Sequence, residues 1–138
     1  MIGVLAAVFQ LGYSLMLVGV GAVGLIAARW ELLDVFTIDL AALDTDVAAT
    51  FLNQYRFLKS TELAFGLVCL FGHRSILAGS PLAPLFLAGC ALGVIARVSA
   101  WIADGQPSSW FIAFAVLEAL TFLLVWISIR QLPSARNV

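Results

Sequence analysis

The chain has 138 residues, 63% of them hydrophobic and only 11% charged, with a mean hydropathy of +1.09. A soluble domain is about 45 to 50% apolar, so these values exclude an ordinary water-soluble fold and point to a membrane protein. The net charge of -1, with seven Lys and Arg dispersed along the chain, sets nucleic-acid binding aside.

A membrane crossing needs about 20 mainly apolar residues for a hydrocarbon core of roughly 30 Å. The first such stretch runs from about Ile2 to Ala28 without a charge. It lacks the basic n-region of a signal peptide, and its apolar run exceeds the roughly 7 to 15 residues of an h-region, so it is expected to remain as a helix. Inside it, Gly19, Gly21 and Gly24 have the spacing of a dinucleotide-binding loop. That loop works only between a strand and a helix, so the expected role of these glycines is close approach of a neighbouring helix.

The connection from Glu31 to Thr50 carries Glu31, Asp34, Asp39, Asp44 and Asp46 and no Lys or Arg. Within it Leu33, Phe36, Leu40, Leu43 and Val47 repeat at helical spacing. Two arrangements fit: an interfacial helix with its apolar face down, or an irregular loop followed by an early start of the second helix at an Asp44 or Thr45 cap. The second crossing is expected from about Phe51 to Phe71, with Arg56, Lys59 and Glu62 in its first half. The third runs from about Leu82 to Ala103, beside Pro81 and Pro84, which suit a first helical turn. Asp104-Gly105 followed by Pro107 is a turn signal, and Ser108 or Ser109 is a candidate cap for a fourth crossing from about Trp110 to Ile129. The prediction is one domain over residues 1–138, an all-α integral membrane four-helix bundle.

Arg74, with His73 beside it, follows the second crossing, and Arg130 and Arg136 follow the fourth, without an acid in either segment. By the positive-inside rule these segments and both termini face the cytoplasm, and Arg29 is the one dissenting charge. Trp30, Trp101 and Trp110 then fall at the outer boundary and Trp126 near the inner one, as aromatic belts require. Cys69 and Cys90 lie in apolar runs without ligand spacing and read as small core residues. His73 has no neighbouring ligand for a metal and reads as an ordinary loop residue; no metal site and no cofactor is predicted.

Charges inside lipid carry the functional signal. An ionised group at the centre of a membrane helix costs about 2.5 to 3.5 kcal/mol even on lenient insertion scales, so Arg56, Lys59, Glu62, Arg97 and Glu118 should pair or line a polar cavity, with Asp104 at its rim. Arg97 with Glu118, and Arg56 or Lys59 with Glu62, are candidate ion pairs that set helix register. The same residues are candidates for a binding site in which Lys59, Arg56 and Arg97 hold an anionic or carbonyl-bearing headgroup oriented by Glu118. Gly89 and Gly93 form a GxxxG pair for helix packing, and Arg97 extends the same face one turn further.

The residues Asn53-Gln54-Tyr55-Arg56, Glu62, Gly66, Arg97-Val98-Ser99, Asp104-Gly105-Gln106-Pro107-Ser108 and Glu118 together resemble the small four-helix bacterial membrane proteins of the domain of unknown function 4345 family. The chain departs from that pattern at Lys59-Ser60, where glycines are expected, and at Ala96. The resemblance implies a four-helix fold and a bacterial cytoplasmic membrane location, and supplies no activity. The expected function is that of a non-enzymatic binding or accessory subunit with an outer-leaflet pocket for a lipid-like or quinone-like headgroup. Membrane lipids, a second copy of the chain or a larger membrane complex are its expected partners. The alternative is a small proton-coupled transporter acting as an oligomer. An enzyme is disfavoured because no nucleophile lies beside a base and no His/Cys set is present.

Overall fold

The structure, a computed structural model, describes residues 1–132. The helices are α1 (Ile2–Ile26), α2 (Ala28–Trp30), α3 (Thr45–Phe71), α4 (His73–Leu77), α5 (Leu82–Asp104) and α6 (Ser109–Arg130), and no strand occurs among the described residues. Arg136, one of the arginines used to orient the chain, lies outside those residues.

Three helices, α1, α5 and α6, are long and apolar enough to cross a membrane. Even α6, with 22 residues, spans about 33 Å at 1.5 Å per residue. The expected second crossing differs from them. Helix α3 is the longest, at 27 residues, and begins at Thr45 rather than Phe51; Asp46, Arg56, Lys59 and Glu62 keep it out of the apolar set. The carbonyl of Asp44 accepts the first helical bond, from the Ala48 amide at 2.8 Å, which marks the early start.

The chain forms two compact units, Ser14–Val68 and Met1–Tyr13 together with the chain from Cys69 onward, so α1 and α3 each contribute to both. In the Ser14–Val68 unit, glycines let α1 and α3 approach closely. A Cβ at Gly21 would lie 2.6 Å from the Leu63 backbone nitrogen, and one at Gly66 would lie 2.8 Å from that of Val18. Gly19, by contrast, meets nothing.

The acidic connection belongs to the same unit, and it is not the continuous interfacial helix that was one of the two expectations. After a break at Ala27 and the short α2, the backbone widens into a π-turn over Glu31–Val35, in which the Phe36 amide bonds to the Glu31 carbonyl at 3.2 Å. Thr37, at φ 59°, ends it, and Asp39 Oδ1 accepts the Ala41 amide at 2.8 Å to start a 3₁₀ turn over Leu40–Ala42. These breaks rotate the apolar residues out of one stripe: Leu33, Leu43 and Val47 are exposed, whereas Leu32 and Leu40 join Ala28, Ala48 and Leu52 in a small core flanked by Phe36 and Tyr55.

In the other unit α5 packs along α6. Helix α4 closes with a Schellman motif: the Ser80 amide bonds to the Ser75 carbonyl and the Gly79 amide to that of Ile76. Gly79 takes the left-handed φ of 72° that this turn needs. Ser80 Oγ then accepts the Leu82 amide at 3.3 Å and Pro81 leads into α5, as the prolines predicted. Helix α5 ends at Asp104, where Gly105 turns the chain at φ 98°. Ser108 starts α6 through its carbonyl, which accepts the Phe111 and Ile112 amides; its side chain makes no capping bond.

Candidate functional site

Lys59 projects from α3 in the Ser14–Val68 unit and is 4% exposed. Its Nζ lies 3.2 Å from Glu31 Oε1 and 3.1 Å from Glu62 Oε2, with the Phe36 and Tyr55 rings 6.0 and 5.2 Å away. Glu62 follows Lys59 by one helical turn, the spacing that brings their side chains together. Glu31 comes from the π-turn and is itself buried. Tyr55 lies beside the same carboxylate, and neither Tyr55 Oη nor Glu31 Oε2 makes a hydrogen bond among the described residues. Gly24 supplies the space, because a Cβ there would overlap the Lys59 aliphatic chain and lie 2.7 Å from Glu31 Oε2. A lysine flanked by two carboxylates has its charge answered by them.

Glu118 is the centre of the second cluster, in the other unit. It lies on α6, is 4% exposed, accepts the Tyr13 hydroxyl at Oε1, and has Arg97 Nε 3.4 Å from Oε2. Gly93, one turn before Arg97 on α5, makes room for it: a Cβ at that position would overlap the carboxylate. At Gly93, named in the sequence for helix packing, what the missing side chain admits is the Glu118 headgroup. Tyr13 is fixed in turn by edge-on contact with Phe86, with ring centroids 6.2 Å apart at 76°.

Arg97 has a side chain 29% exposed. Its guanidinium carbon is 5.9 Å from the centroid of Phe111 and 5.9 Å from that of Phe114, so two rings share the cation with one carboxylate. Among the described residues no hydrogen bond reaches its Nη nitrogens. Next to it a groove of about 240 Å³ runs between α5 and α6, lined by Val94, Arg97, Val98, Trp101, Pro107, Phe111, Ile112, Ala115, Val116 and Ala119. Apart from Arg97 and the indole nitrogen of Trp101, the described side chains that line it offer no polar group.

The sequence-predicted residues therefore divide. Arg97 is joined to Glu118, and Lys59 to Glu62, as candidate pairs; Arg56 and Asp104 are exposed and make no ion pair among the described residues. His73 is not an ordinary loop residue. It opens α4, is half-buried, and its Nδ1 meets Gln10 Oε1, while Gln10 Nε2 donates to the Cys69 carbonyl at 2.9 Å. Only an amide nitrogen can donate to that carbonyl, so Gln10 presents its oxygen to His73 and the proton between them belongs to Nδ1. Gln10 thereby satisfies a carbonyl at the open C-terminal end of α3.

Four buried polar residues were missed by the sequence reading. Tyr13 and Ser14 follow Gln10 by three and four residues along α1 and all three are buried, a polar stripe in an uncharged helix that could have been noticed. Glu31 read as a water-facing acid of the connection. Its only local signal is Gly24, two helical turns earlier.

The family model described as a domain of unknown function (DUF4345) matches residues 5–128, which include both clusters. The chain belongs to this family. No curated protein and no solved structure matches it. The DUF4345 match covers every position that carried the resemblance in the sequence, from Asn53 to Glu118.

Proposed function

We propose that this DUF4345 protein is a non-enzymatic binding protein of the membrane, which seats the headgroup end of a lipid-like or quinone-like molecule in the α5–α6 groove. The observation that carries this reading is Arg97, whose Nη nitrogens make no hydrogen bond among the described residues, at the edge of an otherwise apolar groove. A groove of about 240 Å³ is below the roughly 300 to 1,000 Å³ of sites that enclose a whole small molecule, so it suits the end of a longer one whose remainder stays in lipid.

In this proposal α3 is a fourth crossing. Its 27 residues reach about 40 Å at 1.5 Å per residue, and the Glu31–Lys59–Glu62 grouping offsets the charges that make it less apolar than its neighbours. With Arg74 and Arg130 on the cytoplasmic side, both termini are inside and the groove, near the α5–α6 turn, lies in the outer leaflet of a bacterial cytoplasmic membrane. Trp30, Trp101 and Trp110 are exposed, as residues at an interface would be.

Purification of the full chain in mild detergent, with mass spectrometry of co-purifying small molecules, tests the reading. A lipid-like species should be retained by the wild type and lost in Arg97→Gln. Equal retention by both proteins would overturn the groove as the site.

A further inference from the structure

The charge balance beside the groove bears on which headgroup it accepts, an inference that rests on the binding role proposed above. Among the described residues Arg97 is the one charged residue lining the groove, and Glu118 already sits against it, with Oε2 3.4 Å from Nε. The other Glu118 oxygen accepts the Tyr13 hydroxyl, and the missing Cβ of Gly93 leaves the carboxylate seated against α5. Two aromatic rings, each 5.9 Å from the guanidinium carbon, further answer the cation. An anionic headgroup reaching for the Nη donors would place a second negative charge beside a buried carboxylate, with a single cation between them and apolar walls around them. A carbonyl or ester oxygen accepts the same donors and adds no charge.

We infer that the groove selects a neutral amphiphile whose head presents a hydrogen-bond-accepting carbonyl, in preference to a carboxylate-headed molecule of the same chain length. The guanidinium acts as a hydrogen-bond donor to the carbonyl, Glu118 holds it in place and excludes anions, and the apolar walls take the first carbons of the chain.

Decanoate and methyl decanoate separate charge from shape, since they share the acyl chain and differ by one methyl group and one charge. Their binding to the full chain in a non-ionic detergent is read by native mass spectrometry. The wild type should hold methyl decanoate at least about tenfold more tightly than decanoate, a difference of one decade in Kd. Glu118→Gln, which keeps the shape and removes the negative charge, should erase that preference or reverse it. Decanoate bound as tightly as its ester by the wild type would overturn the inference and leave the binding role standing, and so would a Glu118→Gln protein with unchanged preference. Failure of the wild type to hold either molecule would overturn the binding role itself. The wild-type comparison decides the matter even if Glu118→Gln does not fold.

Discussion

The space a side chain at Gly93 would need is taken by the carboxylate of Glu118. This ties a glycine on α5 to an acid on α6, and with it the position of Arg97 one turn further along α5. Gly93→Ala should therefore displace Glu118 from Tyr13 or from Arg97, because the carboxylate can yield only by giving up one of them. A loss of about 1 to 3 kcal/mol is expected, the range for overfilling a packed site. In a Glu118→Ala background the same substitution should cost much less, and equal losses in thermal melts of both backgrounds would contradict this account.

Arg97 and Glu118 should be energetically coupled. Removing both should cost less than the sum of the single losses, by about 0.5 to 3 kcal/mol. Because Arg97 is partly exposed, its single loss should fall below the roughly 3 to 5 kcal/mol of a fully buried pair. Glu118→Ala should cost more than Arg97→Ala, since it strands the Tyr13 hydroxyl as well. Additive losses in a double-mutant cycle would show that the two do not interact.

Lys59→Gln should be strongly destabilising, by about 3 to 5 kcal/mol, because it leaves Glu31 and Glu62 without their shared cation in a buried setting. Adding Glu31→Gln should recover part of the loss. Retention of any ligand in the α5–α6 groove should be unchanged in whatever folds. Melting temperatures of the single and double variants are the measurement, and an unshifted melt for Lys59→Gln would remove Lys59 from the structural account.

Four crossings with both termini inside predict opposite labelling of two exposed positions. Asp44→Cys should react with a membrane-impermeant maleimide in intact cells, and Ser75→Cys only after permeabilisation. The native cysteines, Cys69 and Cys90, are free and buried and should stay silent. Labelling of Ser75→Cys from outside would reverse the orientation or remove a crossing.

The apolar runs were enough to read α1, α5 and α6, and their ends fell within a residue or two of Pro81, Asp104-Gly105 and Ser108, because hydropathy and turn chemistry are local properties of the chain. Arg97 and Glu118 were also legible as candidate partners. A charge inside an apolar helix has few ways to be tolerated, and residues on neighbouring helices at similar depth are the first candidates to pair. The Lys59–Glu62 pair was legible for a simpler reason, their spacing of one turn.

Tertiary structure decided what spacing cannot carry. Glu31 became the second partner of Lys59 in a segment where the helix breaks at Ala27 and then widens into the π-turn, changes that interrupt the periodicity on which a sequence reading depends. Gln10 reached the Cys69 carbonyl and His73, and Tyr13 reached Glu118, through contacts far apart in the chain, for which local pattern holds no record. Gly93 showed the limit most plainly. Its sequence marks it as a place where something comes close, and only the folded chain determines that the neighbour is a carboxylate, because which side chain fills a gap depends on the rotation of both helices about their axes.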